Sequence, residues 1–170
     1  VGSLGWSDHA VAAGYVVAIG GGAEEDAPGS WSQKAYGAIV AAGNGGSVVI
    51  LSDLVESEFL PRYFERLGAS RAENIRINTR AVADSTAIAL KIRNASIVFL
   101  RGGDQSDYVS LWDDTATEAA IQEVYEGGGV VAGTSAGAAV LGELIYTAEN
   151  GSVFPEEALR NPYDPRMTFT

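Results

Sequence analysis

Short apolar runs alternate with amphipathic stretches along this chain, and glycines close most of them. Tyr15–Ile19 is an apolar run that meets Gly20-Gly21-Gly22, the pattern of a buried strand ending in a turn. The stretch from Trp31 to Ala42 predicts a helix, stopped by Gly43-Asn44-Gly45-Gly46. A second strand is predicted over Ser47 to Leu51. The helix predicted from Glu56 to Leu67 places Phe59, Tyr63, Phe64 and Leu67 on one face, and Gly68 ends it. A third strand is predicted over Asn74 to Asn78. A helix is predicted from Ala83 to Ile92, with Asp84 or Ser85 as its cap. A fourth strand is predicted from Ser96 to Leu100, then a helix from Ala116 to Tyr125 stopped by Gly127-Gly128-Gly129. The fifth strand, Val130 to Ala132, leads into a small-residue helix beginning near Ala138. Past Leu144 the pattern fades. Three of the five prolines fall between Glu149 and Thr170, which reads as loop or extended chain.

Repeated strand–helix units of this kind predict one α/β domain built on an open, mostly parallel sheet flanked by helices. Strands this apolar are expected to be covered on both faces. Ligand sites of such sheets lie at the carboxyl ends of the strands. Three loops fall on that edge: the Gly20–Asp26 stretch, Gly102-Gly103-Asp104-Gln105, and Gly133-Thr134-Ser135-Ala136-Gly137. Trp31, Tyr63, Phe64, Trp112 and Tyr125 lie at helical spacings and are expected in the core.

The last of these loops carries the sharpest chemistry. G-x-S-x-G between a strand and a helix is the context that presents a nucleophilic serine. The glycines have a steric reason, because side chains at those positions would collide with the strand or the helix. The N–H of Ala136 is a candidate oxyanion donor, with Gly103 or Asp104 on the neighbouring loop as the second. Gln105 is placed to bond substrate. The bland alternative for that neighbouring loop is a strand-to-helix turn capped by Asp104. Gly20-Gly21-Gly22 lacks the dinucleotide spacing and runs directly into acidic residues, so it reads as site rim or as a simple turn.

The base is harder to find. The one histidine, His9, sits in a polar stretch before the first strand and reads as surface. Glu143, Glu149, Glu156 and Glu157 all follow the serine; Glu149 is the candidate orienting acid, and spacing does not choose among them.

Composition narrows the partners. A net charge of −11 argues against nucleic acid and favours cationic ligands, although an acidic surface alone also explains it. No apolar run is long enough to span a bilayer, so no membrane partner is expected. There is no cysteine, which removes disulfides, thiolate metal sites and a Cys nucleophile. The chain begins at Val1 and is expected to be a trimmed or processed form; its compartment, cytoplasmic or secreted, is left open.

These residues together resemble the cyanophycinase branch of peptidase family S51. The likeness is carried by Ile19-Gly20-Gly21-Gly22-Ala23-Glu24, Tyr63-Phe64-Glu65-Arg66-Leu67-Gly68, Thr79-Arg80-Ala81 with Ala83-Asp84, Phe99 to Gln105, and Gly133 to Ala138. The resemblance implies a fold like the class I glutamine amidotransferases (flavodoxin-like) and a metal-independent serine peptidase without a cofactor. It implies substrates cut beside aspartyl residues, among them arginine-rich polyamides that release β-Asp-Arg. It makes Ser135 the nucleophile, places Gly103, Asp104 and Ala136 around the oxyanion, and puts Gln105 in the pocket. In the family, the catalytic histidine lies beyond the serine, in a segment past Thr170. The expectation is therefore a domain 1–170 completed by a second polypeptide from the same precursor, cut after Thr170 and carrying that histidine. Self-association is left open. An α/β-hydrolase esterase and a non-catalytic binding relative remain as alternatives.

Overall fold

Five parallel strands form one sheet in the order β1-β5-β4-β2-β3 in the computed structural model, which describes residues 13–55 and 57–170. The strands are β1 (Tyr15–Ile19), β2 (Ser47–Ser52), β3 (Arg71–Arg76), β4 (Ile97–Leu100) and β5 (Val130–Thr134). His9, Trp6 and Glu56 lie outside the described residues.

The apolar strands alternate their side chains between two cores, as a period of two requires. Val48, Ile50, Ile97, Phe99, Val130 and Ala132 face helices α1 (Trp31–Ala42) and α2 (Phe59–Arg66). On this side Tyr36 and Phe64 stack with ring centroids 5.3 Å apart, and both meet Phe99 edge-on at 5.1 Å. Val49, Leu51, Val98, Leu100 and Val131 face the other way. They meet α3 (Arg80–Ala83), α4 (Thr86–Arg93), α5 (Gln105–Trp112) and α6 (Ala116–Glu126). The expected doubly covered parallel sheet is thus found for β2, β4 and β5.

The edge strands depart from that expectation. β1 pairs only with β5 among the described residues, and Tyr15 and Val16 are 61% and 54% exposed. At the opposite edge, β3 spans Arg71–Arg76 rather than Asn74–Asn78. Its register is set by β2, with Ser47 opposite Arg71 and Ser52 opposite Arg76. An edge strand tolerates the charged Arg71, Glu73 and Arg76, and those charges hide it from a search for apolar runs.

Helices differ from expectation where caps cut them. The single helix predicted from Ala83 to Ile92 is two: Thr79 caps α3 by accepting from Val82 N–H at 3.2 Å, and Ser85 opens α4. Asp84 does not cap α4; it ends α3 as its C-cap residue, and its carboxylate accepts from Ala116 N–H at 3.2 Å. Three further helices are corrections. α5 was foreshadowed only by the alternative reading of the Gly102–Gln105 loop as a turn capped by Asp104. α7 is only four residues, Ala136–Ala139, shorter than a full helix, so its dipole behind the serine is small. α8 (Pro155–Arg160) replaces predicted loop, with Pro155 at its first turn and Glu157 accepting from Phe154 N–H at 3.0 Å.

Candidate active site

Parallel strands bring their carboxyl ends to one edge, and the register makes this concrete. Ile19 lies opposite Thr134, Leu100 opposite Gly133, and Leu51 opposite Leu100. The loops after β1, β4 and β5 therefore leave the sheet side by side.

Ser135 is exposed although the residues on either side of it, Val130–Thr134 and Ala136–Gly137, are buried. Its backbone has φ 51° and ψ −122°, a conformation that L-residues other than glycine adopt only under strain. The turn is fixed by three backbone bonds. Ser135 N–H donates to the Ile19 carbonyl at 3.1 Å, and the Ser135 carbonyl accepts from Ala138 and Ala139 at 2.9 and 3.0 Å. The flanking glycines are sterically obligatory, as expected from the motif. A Cβ on Gly133 would sit 2.3 Å from the Gly137 carbonyl oxygen, and one on Gly137 would sit 2.1 Å from that of Leu100.

Two other glycines form walls at the serine. A Cβ on Gly21 would lie 3.1 Å from Ser135 Oγ, and one on Gly102 would lie 3.2 Å from Ser135 Cβ. Bare backbone thus faces the hydroxyl on two sides, leaving space only where side chains are absent. The Gly21 wall is held by side chains from the start of α1 and from α2. Trp31 Nε1 donates to the Ala23 carbonyl at 3.0 Å, and Tyr36 donates to Glu24 at 3.3 Å. The Glu25 carbonyl accepts from Ser30, Ser32 and Tyr63 hydroxyls at 2.8, 2.9 and 3.0 Å. Arg66 pairs with Asp26. Burial, and then the Glu24 carboxylate, push the Tyr36 phenol up, which keeps it a neutral donor. Trp31, expected in the core, instead sits half-exposed above this loop.

The other wall is built by α5. Asp104 is its N-cap, accepting from Ser106 N–H at 2.9 Å and from the Ser106 hydroxyl at 2.7 Å. The capping alternative for Asp104 is therefore realised by its side chain, through Oδ1. Gln105 is the first residue of α5 and half-buried. Ala136 N–H belongs to the first turn of α7, where no intrahelical acceptor exists.

The candidate acids do not join this cluster. Glu149 is exposed in a turn just after Ala148, and no hydrogen bond links it to Ser135. Glu157 is engaged elsewhere, by Phe154 N–H and by Arg166. Glu143 is exposed. The His9 reading falls outside the described residues, and no described residue is a histidine.

Sequence reading missed two buried residues here. Asp53 follows β2, its carbonyl accepting from Arg76 Nε at 3.0 Å and its carboxylate lying 3.3 Å from a Cβ on Gly103. Tyr108 lies under the same glycine, within α5. The one signal for Asp53 was an acid directly after an apolar run; Tyr108 gave none.

The description of peptidase family S51 matches residues 54–160, which include Gly102–Gln105 and Ser135. The chain is 34% identical over 99 residues to a cyanophycinase of Trichormus variabilis, covering 58% of this chain and 33% of that protein. It is 30% identical over 161 residues to a cyanophycinase of Synechococcus elongatus, covering 89% of this chain and 48% of that protein. The chain therefore spans half or less of the length of these curated relatives. The fold matches the crystal structure of a peptidase from an acI-B1 Actinobacterium with a TM-score of 0.61 at 21% identity, over 78% of this chain and 58% of that one. That likeness concerns the fold, which is the flavodoxin-like α/β arrangement expected from the sequence. With a family match that covers well over half of its residues, this chain belongs to peptidase family S51.

Proposed function

We propose that this chain carries the nucleophile of a serine peptidase of cyanophycinase type, with Ser135 attacking amide bonds beside aspartyl residues. The observation that carries the reading is the exposed Ser135 held at φ 51° between the bare backbones of Gly21 and Gly102. Backbone strain at an exposed, walled-in hydroxyl is the arrangement expected of a nucleophile.

In this reading Ser135 Oγ bonds to the substrate carbonyl carbon while its proton passes to a base. The oxyanion that forms is met by Ala136 N–H and by an N–H of the Gly103-Asp104 stretch, and Gln105 bonds the substrate. Collapse expels the amine, which takes the proton from the base. Water then cleaves the acyl-enzyme by the same route. The base is a histidine outside the described residues, supplied by a second polypeptide from the same precursor. Glu149 stays the candidate for orienting it. The net charge of −11 supports a substrate with cationic side chains, such as a polyaspartate bearing arginine.

The test is hydrolysis of multi-arginyl polyaspartate and of isoaspartyl peptides by the full-length protein and its Ser135→Ala variant. Release of β-Asp-Arg, reduced by roughly 1000-fold or more in the variant, is the expected result. Hydrolysis that survives the substitution, or a wild type inert on all Asp-containing peptides, overturns the reading.

A further inference from the structure

The loop between β4 and α5 is clasped from behind by the helix it leads into. Tyr108 is buried, and its hydroxyl donates to the Arg101 carbonyl at 2.8 Å. A Cβ on Gly103 would meet that same hydroxyl at 2.7 Å. The tyrosine is itself held firmly. Its ring stacks on Trp112 with centroids 4.1 Å apart and planes 13° from parallel. Trp112 Nε1 donates to the Ile77 carbonyl at 2.9 Å. The Arg80 guanidinium donates to the Ser110 and Asp113 carbonyls, both at 2.9 Å, and fixes the far end of α5. The near end is fixed by the Asp104 cap.

The peptide bond between Arg101 and Gly102 is trans, so its carbonyl and its N–H point in opposite directions. A carbonyl turned to Tyr108 leaves the Gly102 N–H facing away from the tyrosine. Gly102 is also the residue of this loop whose Cβ position falls against Ser135, at 3.2 Å. One hydroxyl therefore sets the orientation of the peptide plane next to the serine. Gly102 and Gly103, which follow that plane, have no side chain of their own to restrain it.

We propose that Tyr108 is a positioning residue for the oxyanion loop of the reaction at Ser135. It touches no substrate; it orients the peptide planes from Arg101 to Asp104 through the Arg101 carbonyl and through contact with Gly103. The inference rests on Ser135 being the nucleophile.

The test is Tyr108→Phe in the full-length enzyme. The variant loses about tenfold to 100-fold in kcat, because misplaced groups at a reacting centre cost rates of that order. KM stays within about twofold, since the loop acts on the tetrahedral state and not on bound substrate. Affinity for a peptide boronic acid, which forms a tetrahedral adduct on serine, falls in step with kcat. Replacing Tyr108 with 4-aminophenylalanine keeps a donor and restores kcat; 4-fluorophenylalanine fills the space without a donor and does not. These two replacements decide the matter even where Tyr108→Phe fails to fold. A kcat unchanged by loss of the donor, or a loss carried by KM alone, overturns the inference. A wild type that hydrolyses nothing sinks the nucleophile reading instead, so the two failures are told apart.

Discussion

The Ser135 turn and the segment after Leu144 both reach the surface, yet they are held by opposite means. The turn is determined by excluded volume. Gly133 and Gly137 sit where no Cβ fits, and buried strand β5 fixes everything before the serine. The later segment is held by polar contacts. Phe154, Leu159 and Tyr163 are 67%, 87% and 89% exposed. Arg166 joins its pieces by pairing with Glu157 and Asp164 and by donating to the Ser152 carbonyl. Tyr146 and Phe169 bridge its two ends. A region made of close packing stores strain and transmits small changes; one held by ion pairs at the surface does neither.

The sharpest way to break that contrast is Gly137→Ala. The added methyl lands 2.1 Å from the Leu100 carbonyl oxygen, on backbone that cannot move aside. A loss of at least about 3 kcal/mol is expected in urea unfolding. Gly20→Ala, with nothing within 4 Å of its Cβ, is the control and changes stability by no more than about 1 kcal/mol.

Ser135→Gly acts on the stored strain itself. Glycine adopts φ 51° without cost, so the protein gains about 1 kcal/mol of stability while hydrolysis disappears. An unchanged or lower midpoint would remove strain from the account.

Arg166→Met probes the other region. Its partners lie half-buried at the surface, so global stability changes by less than about 1 kcal/mol. The effect is local: amide exchange and proteolysis between residues 152 and 168 speed up while the sheet does not respond.

The smallest effect is set by pH. The hydrogen bonds from Arg166 lower the Asp164 carboxyl to about 2. A depressed folded value means the contact is fully present above the ordinary carboxylate range and lost as pH falls through about 2. The Arg166 amide, which donates to Asp164 at 3.0 Å, should stay protected at pH 3. Loss of that protection near pH 4 contradicts the assignment.

The same contrast explains what the sequence disclosed. The β5 turn was legible because excluded volume leaves a mark in the residues themselves: two glycines at fixed spacing around a serine. β2, β4 and α1 were legible from apolar pattern for the same reason. The Gly21 and Gly102 walls were visible only as strand ends, since their contacts to Ser135 cross about a hundred residues and about thirty respectively. β3 was misplaced because an edge strand can be charged. α8 was missed because six residues give no period to read, and its start depends on Pro155 and Glu157. Tyr108 gave no signal at all. Its partner is a backbone carbonyl seven residues earlier, and such a bond constrains no neighbouring side chain. Only its position after the serine singles out Glu149, and the structure leaves it exposed and unbonded to Ser135.

The central claim is that strain and bare backbone make Ser135 the reactive hydroxyl. The most direct measurement is covalent labelling of the full-length native protein with a fluorophosphonate, followed by peptide mass mapping. The account predicts one adduct, on the peptide containing Ser135, absent after heat denaturation. An adduct on another serine, or none on a protein that hydrolyses Asp-containing peptides, contradicts it.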